Sequence, residues 1–153
     1  MDNPGTILVV DDSADDVTLL RLAMKQAGFN NPLEAVTDAD QAVQYLKGEG
    51  RYADRKRHPL PALVLLDLKL PNRSGIDVLT WLRQQPGIQD LPVIVLSNSY
   101  YDTDIRKAYH AGANSFIVKP LGLDEMAEKI KAMGVFWLRS CELPPPPPPP
   151  SES

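Results

Sequence analysis

The sequence predicts an α/β fold, a doubly wound five-stranded parallel sheet with helices on both faces. Two observations carry that expectation. Short apolar runs alternate along the 153 residues with segments of helical period, and no internal repeat interrupts the alternation. The runs also lack polar alternation, as expected of strands covered on both faces, and strands joined through helical crossovers pair in parallel with right-handed connections.

Thr6-Ile7-Leu8-Val9-Val10 is the first strand. Ser13, with Asp16 three residues later, forms a capping box for a helix whose apolar stripe is Val17, Leu20, Met24 and Ala27, and Gly28 stops it. Leu33-Glu34-Ala35-Val36 makes a second strand, after which Asp38 caps a helix running through Ala42, Val43 and Leu46 to Gly48. Residues 49–61 read as a loop. The run Ala62-Leu63-Val64-Leu65-Leu66 is a third strand ending at Asp67, and Ser74-Gly75 opens a helix with Val78, Leu79 and Leu82 inward that ends near Pro86. Pro92-Val93-Ile94-Val95-Leu96 is the fourth strand. Asp102 caps a helix carrying Ile105, Ala108 and Tyr109, Gly112 ends it, and Ser115-Phe116-Ile117-Val118 is the fifth strand. The last helix extends from about Asp124 to Leu138.

Composition narrows the function. A chain of this length forms one domain of ordinary size, able to bury roughly 68–70% of its unfolded surface; residues 1–140 read as that domain and 141–153 as a proline-rich tail. The net charge of −4 argues against a general nucleic-acid or anionic-membrane binder. One cysteine, Cys141, allows no intramolecular disulfide and no thiolate metal cluster, and there is neither a signal peptide nor a membrane-length apolar stretch. The expectation is a cytoplasmic protein.

Open α/β sheets place their ligand crevice along the carboxyl ends of the strands, so the residues leaving each strand form the decisive inventory. Strand one ends in Asp11-Asp12, strand three in Asp67, strand four in Ser97 and strand five in Lys119-Pro120. Carboxylates packed together repel unless a cation intervenes. Oxygen ligands without nearby histidine or thiolate suit a hard ion, and few protein ligands with room for water suit Mg²⁺ better than Ca²⁺. Lys119 adds a second positive centre, and two cations around one carboxylate would neutralise a phosphoryl group in transit.

These residues resemble the receiver domains of two-component response regulators. The likeness covers about residues 6–133 and rests on Asp11-Asp12, Asp67-Leu68-Lys69-Leu70-Pro71 with Gly75, Ser97, Phe116 and Lys119-Pro120. The loop 49–61 and the ending Val135-Phe136-Trp137-Leu138 resemble stand-alone regulators associated with bacterial phytochromes. The resemblance implies a flavodoxin-like strand order, 2-1-3-4-5, with Asp67 as phosphoacceptor for a histidine kinase. It further implies Mg²⁺ held by Asp12, Asp67 and the backbone carbonyl of Lys69, with Asp11 on a metal-bound water. Ser97 and Lys119 would bind phosphoryl oxygens, the Lys119-Pro120 bond would be cis, and Lys69 and Ser99 would tune the lifetime of the phosphorylated state. Ser97 and Phe116 would form a switch: as the hydroxyl moves to the phosphoryl group, the ring turns into the space vacated. Two hydrogen bonds to a charged group contribute roughly 3–6 kcal/mol, against about 5.5 for a full two-state reversal, so the switch is expected to be completed by a partner.

Other readings stand beside this one. Singly, Asp11, Asp12 and Asp67 suit helix and turn caps, Ser97 suits a loop hydrogen bond, and Phe116 suits plain core packing. A phosphatase of the haloacid dehalogenase type also uses a strand-end aspartate and Mg²⁺, but wants a second aspartate where Lys69 stands. A flavodoxin-like binding module needs a phosphate-cradling loop where Asp11-Asp12 stand, and a degenerate receiver would only dock partners. His58 and His110 have no partners at metal-ligand spacing. Arg51, Arg55, Lys56, Arg57 and His58 form a basic cluster, read as a solvated loop. The apolar end of the last helix is expected to be covered, favouring a homodimer through the fourth helix, fifth strand and C-terminal helix. Pro144 to Pro150 would extend as a polyproline II rod of roughly 20 Å.

Overall fold

The computed structural model describes residues 5–140 and 142–145. Five parallel strands, β1 (Ile7–Val10), β2 (Leu33–Val36), β3 (Leu63–Leu66), β4 (Val93–Ser97) and β5 (Ser115–Val118), form one sheet in the order β2-β1-β3-β4-β5. The helices are α1 (Ala14–Gln26), α2 (Ala39–Lys47), α3 (Gly75–Leu82), α4 (Asp102–Ala111) and α5 (Leu123–Gly134). The expected fold and strand order are those observed.

The two-residue period of a strand sorts its side chains onto two cores. Ile7 and Val9 of β1, Leu63 and Leu65 of β3, and Ile94 and Leu96 of β4 pack with Leu20, Met24, Met126 and Ile130 of α1 and α5. Their neighbours Leu8, Val10, Val64, Leu66, Val93 and Val95 pack on the opposite face with Leu46 of α2, Val78 and Leu79 of α3 and Ala108 of α4. All of these strand residues are at most 5% exposed, which explains why the runs show no polar alternation. Each such side chain contributes about 1.5–3 kcal/mol on burial, so the central strands are the rigid frame of the molecule.

Several local expectations change. Asp102 is the first residue of α4; the N-cap is Tyr101, whose side chain makes no capping hydrogen bond. An aspartate inside the first turn still complements the helix dipole, which is why position alone suggested a cap. Of the three side chains named for this helix, Ala108 is the buried one, and Tyr109 is 48% exposed. Helix α3 ends at Leu82, and turns occupy the residues up to Pro86. After Gly134 the last helix widens into a π-helical segment, Val135–Ser140. No peptide bond is cis among the described residues, so Lys119–Pro120 is trans, the isomer that even X–Pro bonds prefer by about 0.5–1 kcal/mol.

The loop after α2 is more ordered than its composition suggested. Arg55 turns inward and donates to the backbone carbonyls of Tyr45, Leu46 and His58 at 2.8, 2.9 and 3.1 Å, satisfying the C-terminal end of α2. Tyr45, Tyr52 and His58 pack ring against ring there, with Tyr52 only 3% exposed. At the C-terminal end, Trp137 and Leu138 pack on the α1–α5 core, while Val135 and Phe136 remain 41% and 54% exposed. Pro144 and Pro145 line a cavity with Leu60, Pro61, Ile88 and Leu91. Cys141 and the prolines beyond Pro145 lie outside the described residues.

Candidate functional site

The carboxyl ends of β1, β3 and β5 bring Asp11, Asp67 and Lys119 together, as the strand-end inventory required. Asp67 follows β3 directly, and its N–H donates to the Val10 carbonyl at 2.9 Å, which fixes the carboxylate to the middle of the sheet. Lys119 follows β5, and its N–H donates to the Ser97 carbonyl at 2.8 Å. Both side chains enter a buried cleft: Lys119 and Asp67 are 7% exposed and Asp11 5%.

The Lys119 ammonium is the hub of the site. Its Nζ donates to Asp11 Oδ2 at 2.7 Å, to Asp16 Oδ2 at 2.8 Å and to Asp67 Oδ2 at 2.9 Å, so its three protons meet three carboxylates. Asp67 Oδ1, the other oxygen, accepts from the Lys69 N–H at 3.3 Å. Burial alone would push the Lys119 pKa down, but its hydrogen bonds to Asp11, Asp16 and Asp67 outweigh it and raise the pKa, so the side chain stays an ammonium at neutral pH. Asp11 moves the other way from an ordinary ion-paired carboxylate: burial raises its pKa, and the Lys119 and Ser13 hydrogen bonds recover only part of that cost.

Asp12 lies at the mouth of the same cleft and is exposed, yet one oxygen each of Asp11, Asp12 and Asp67 fall within 4.8 Å of one another. That donor set fits a hard cation. It is all oxygen and it includes a solvent-facing ligand that leaves room for water; three carboxylates meet the single ammonium and Asp12 adds a fourth to the cleft, an excess of negative charge.

Asp16 belongs to this site as well as to the helix start. Of the capping box that Ser13 and Asp16 predict, half exists: Ser13 Oγ accepts from the Asp16 N–H at 3.2 Å. The reciprocal half is made by Asp11, whose Oδ1 accepts from the Ser13 N–H at 2.9 Å. The Asp16 carboxylate is thereby free to reach Lys119. One available signal was its place in the first turn of the helix that starts directly after the Asp11-Asp12 strand end, and hence beside the same sheet edge.

Ser97 ends β4 and is 1% exposed; its Oγ accepts from the Ser99 N–H at 3.2 Å, the local loop bond expected of a serine after a strand. Ser99 in turn donates to Asp104 Oδ2 at 2.5 Å, tying the β4–α4 loop to the first turn of α4. Phe116 is half-buried on β5, against the core shared with α3 and α4. A cavity of about 160 Å³ lined by Leu68, Lys69, Ser74, Ile76, Ser99, Asp104 and Lys107 opens beside the cleft. His58 and His110 lie outside it, with His58 beside Glu34 at 3.6 Å.

Known proteins share this arrangement of strands and sequence. The chain is 31% identical over 141 residues to the response regulator Rcp1 of Synechocystis, covering 92% of this chain and 94% of Rcp1. The Mn²⁺-bound form of Rcp1 superimposes with a TM-score of 0.81, covering 93% of this chain and 100% of that one. A response regulator in red light signaling of R. palustris, RPA3017, is 36% identical with a TM-score of 0.88, covering 92% of this chain and 99% of that one. The phosphorylated cyanobacterial phytochrome response regulator RcpA is 32% identical with a TM-score of 0.85, covering 93% and 99%. The response regulator receiver domain family matches residues 7–131. A parallel sheet in the order 2-1-3-4-5, an acidic cleft at its carboxyl edge and that match together mean that the chain belongs to the receiver domains of response regulators, signalling domains related to the phytochrome response regulators rather than catalytic enzymes.

Proposed function

We propose that Asp67 accepts a phosphoryl group from a phosphohistidine of a histidine kinase and that the chain signals through protein contacts or by passing the group onward. The observation that carries this reading is the 2.9 Å contact between Lys119 Nζ and Asp67 Oδ2 at the end of a rigid strand, within a cluster of carboxylate oxygens suited to a divalent cation. An Asp67 oxygen attacks phosphorus as the P–N bond to the imidazole breaks; the imidazole nitrogen leaves with the electron pair and takes up a proton. Lys119 is then positioned to neutralise an oxygen of the transferred group. Asp12, Asp67 and the Lys69 carbonyl would hold Mg²⁺, with Asp11 on a coordinated water, and the ion would supply a second positive charge on the phosphoryl oxygens. Water attack on phosphorus later releases inorganic phosphate and restores the carboxylate.

Ser97 would reach the phosphoryl oxygens by giving up the Ser99 N–H, and Phe116, with room on the partly open β5 face, would follow it inward. The kinship with phytochrome regulators supports a phytochrome-type kinase as the donor. Exposed Tyr109, Leu121, Val135 and Phe136 support a protein partner, a second copy included, against α4, β5 and the C-terminal helix. Residues 1–140 would form the receiver and 141–153 a proline-rich tail. Intact-mass measurement after treatment with acetyl phosphate, with and without Mg²⁺, tests the reading. One phosphoryl group on the unmodified chain with Mg²⁺, and none on Asp67→Asn, is expected; equal uptake by the variant would overturn it.

A further inference from the structure

The site contains one more carboxylate than its proposed chemistry uses. Asp11, Asp12 and Asp67 form the cluster suited to a cation, and Asp16 stands outside it while contacting Lys119 at 2.8 Å. The contact has the marks of a built one. Lys119 is 3% exposed in its side chain and Asp16 34%, so the ammonium is held at the wall of the cleft by a residue reaching in from α1. The Asp16 backbone is pinned by Ser13 Oγ, and its role in the cap is taken over by Asp11, so the carboxylate has no competing local partner in the capping box.

Lys119 and a divalent cation compete for the same oxygens. Two of the three partners of the ammonium, Asp11 and Asp67, belong to the cation cluster. Without Asp16 the ammonium would be shared by those two alone and would hold them more tightly against the cation. With Asp16 present, Lys119 keeps a carboxylate partner when Asp11 and Asp67 turn to other charges, and it need not leave the cleft to find one in solvent.

We propose that Asp16 is a positioning residue for Lys119, an anchor on α1 that holds the ammonium beside Asp67 while releasing Asp11 and Asp67 to a divalent cation and to the phosphoryl group. The inference rests on the receiver chemistry proposed above, but its first consequence, on cation binding, is independent of phosphoryl transfer. Because Asp16 is a third exposed, its charge is partly screened and the effect of losing it is moderate.

The test uses the full chain with Asp16→Ala, Asp16→Glu and Asp15→Ala. Alanine keeps the first turn helical, and Asp15 is an exposed carboxylate of the same turn, so its removal reproduces the loss of charge near the helix start. Calorimetric titration with MnCl₂ alone should show Asp16→Ala binding about three- to tenfold more weakly, with Asp15→Ala within about twofold of the unmodified chain. The acetyl phosphate concentration for half-maximal phosphorylation at saturating Mg²⁺ should rise by a similar factor in Asp16→Ala, and Asp16→Glu should recover most of both losses, since it restores a carboxylate within reach of Nζ. An Asp16→Ala chain within twofold on both measures, or an Asp15→Ala chain shifted as far as Asp16→Ala, overturns the proposal. If the unmodified chain takes up no phosphoryl group the receiver chemistry fails, and the Mn²⁺ comparison still decides the role of Asp16.

Discussion

Gly75, the first residue of α3, lies against the backbone carbonyl oxygen of Asp67 so closely that a Cβ at position 75 would sit far inside van der Waals contact with that oxygen. The Gly75 N–H also donates to the Leu68 carbonyl at 2.8 Å, folding the chain back just beyond the end of β3. The conformation is an ordinary one for any residue; it is the approach to Asp67 that demands glycine.

Gly75→Ala must therefore displace either α3 or the strand end that carries the proposed nucleophile. Overpacking of this kind costs about 1–3 kcal/mol, and a shift of reacting groups by about 1 Å can cost on the order of a hundredfold in rate. We expect a chain that still folds, with a lower urea midpoint, and that is phosphorylated by acetyl phosphate at least about tenfold more slowly. A variant equal to the unmodified chain in both would show that the close approach does not control Asp67.

The parts of the site that were legible in the sequence are those dictated by the sheet. Asp11, Asp67, Ser97 and Lys119 each directly follow or end an apolar run, and a parallel α/β sheet collects its strand ends on one edge whatever lies between, here over 108 residues from Asp11 to Lys119. Asp16 escaped because a first-turn aspartate after a serine already has a sufficient local explanation. Arg55 and Arg83 escaped for a different reason: a long side chain reaches carbonyls of distant segments, and neither periodicity nor capping statistics records its target. The α4 start was misplaced by one residue because two acidic side chains, Asp102 and Asp104, complement the same helix dipole and only the backbone distinguishes cap from first turn.

Arg83 provides a direct test of the fold. Its guanidinium donates to the carbonyls of Gly112 at 2.8 Å, Gln89 at 2.8 Å and Leu91 at 2.7 Å and to Asn114 Oδ1 at 3.0 Å, joining the end of α3 to the segments that enter β4 and β5. Arg83→Ala should lower stability by roughly 2–4 kcal/mol, seen as a lower urea midpoint at unchanged slope, because several carbonyls lose a charged donor together. Arg83→Lys should recover less than half, since an ammonium cannot reproduce the planar fork. Full recovery by lysine would mean that charge alone matters there.

Ser97→Ala separates the loop from the switch. The substitution removes the acceptor of the buried Ser99 N–H, which costs about 1–3 kcal/mol if nothing replaces it. It also removes the hydroxyl proposed to bind a phosphoryl oxygen, so the steady-state ratio of phosphorylated to unphosphorylated chain at fixed acetyl phosphate should fall by about tenfold. Ser97→Thr keeps the hydroxyl and should restore most of that ratio. Loss of stability with an unaltered phosphorylated fraction would confine Ser97 to the loop.

Tyr45 carries the clearest dependence on pH away from the site. It is fully buried, its hydroxyl donates to the Pro59 carbonyl at 2.8 Å, and burial, with the Glu34 charge nearby, pushes its pKa up to about 12 from an ordinary 10.0. Between those values the unfolded chain loses the phenolic proton while the folded chain keeps it, so unfolding is favoured as pH rises. The stability contributed by the neutral phenol is complete below pH 10.0 and is lost as pH climbs toward about 12, amounting to roughly 2–3 kcal/mol over the window at about 1.4 kcal/mol per pH unit. Tyr45→Phe cannot ionise. At neutral pH it should be less stable by about 1 kcal/mol through loss of the Pro59 hydrogen bond, and its stability should decline less steeply above pH 10 than that of the unmodified chain. Urea denaturation at a series of pH values, followed by far-ultraviolet circular dichroism, distinguishes the two curves; parallel decline in both chains would show that Tyr45 does not set the alkaline limit.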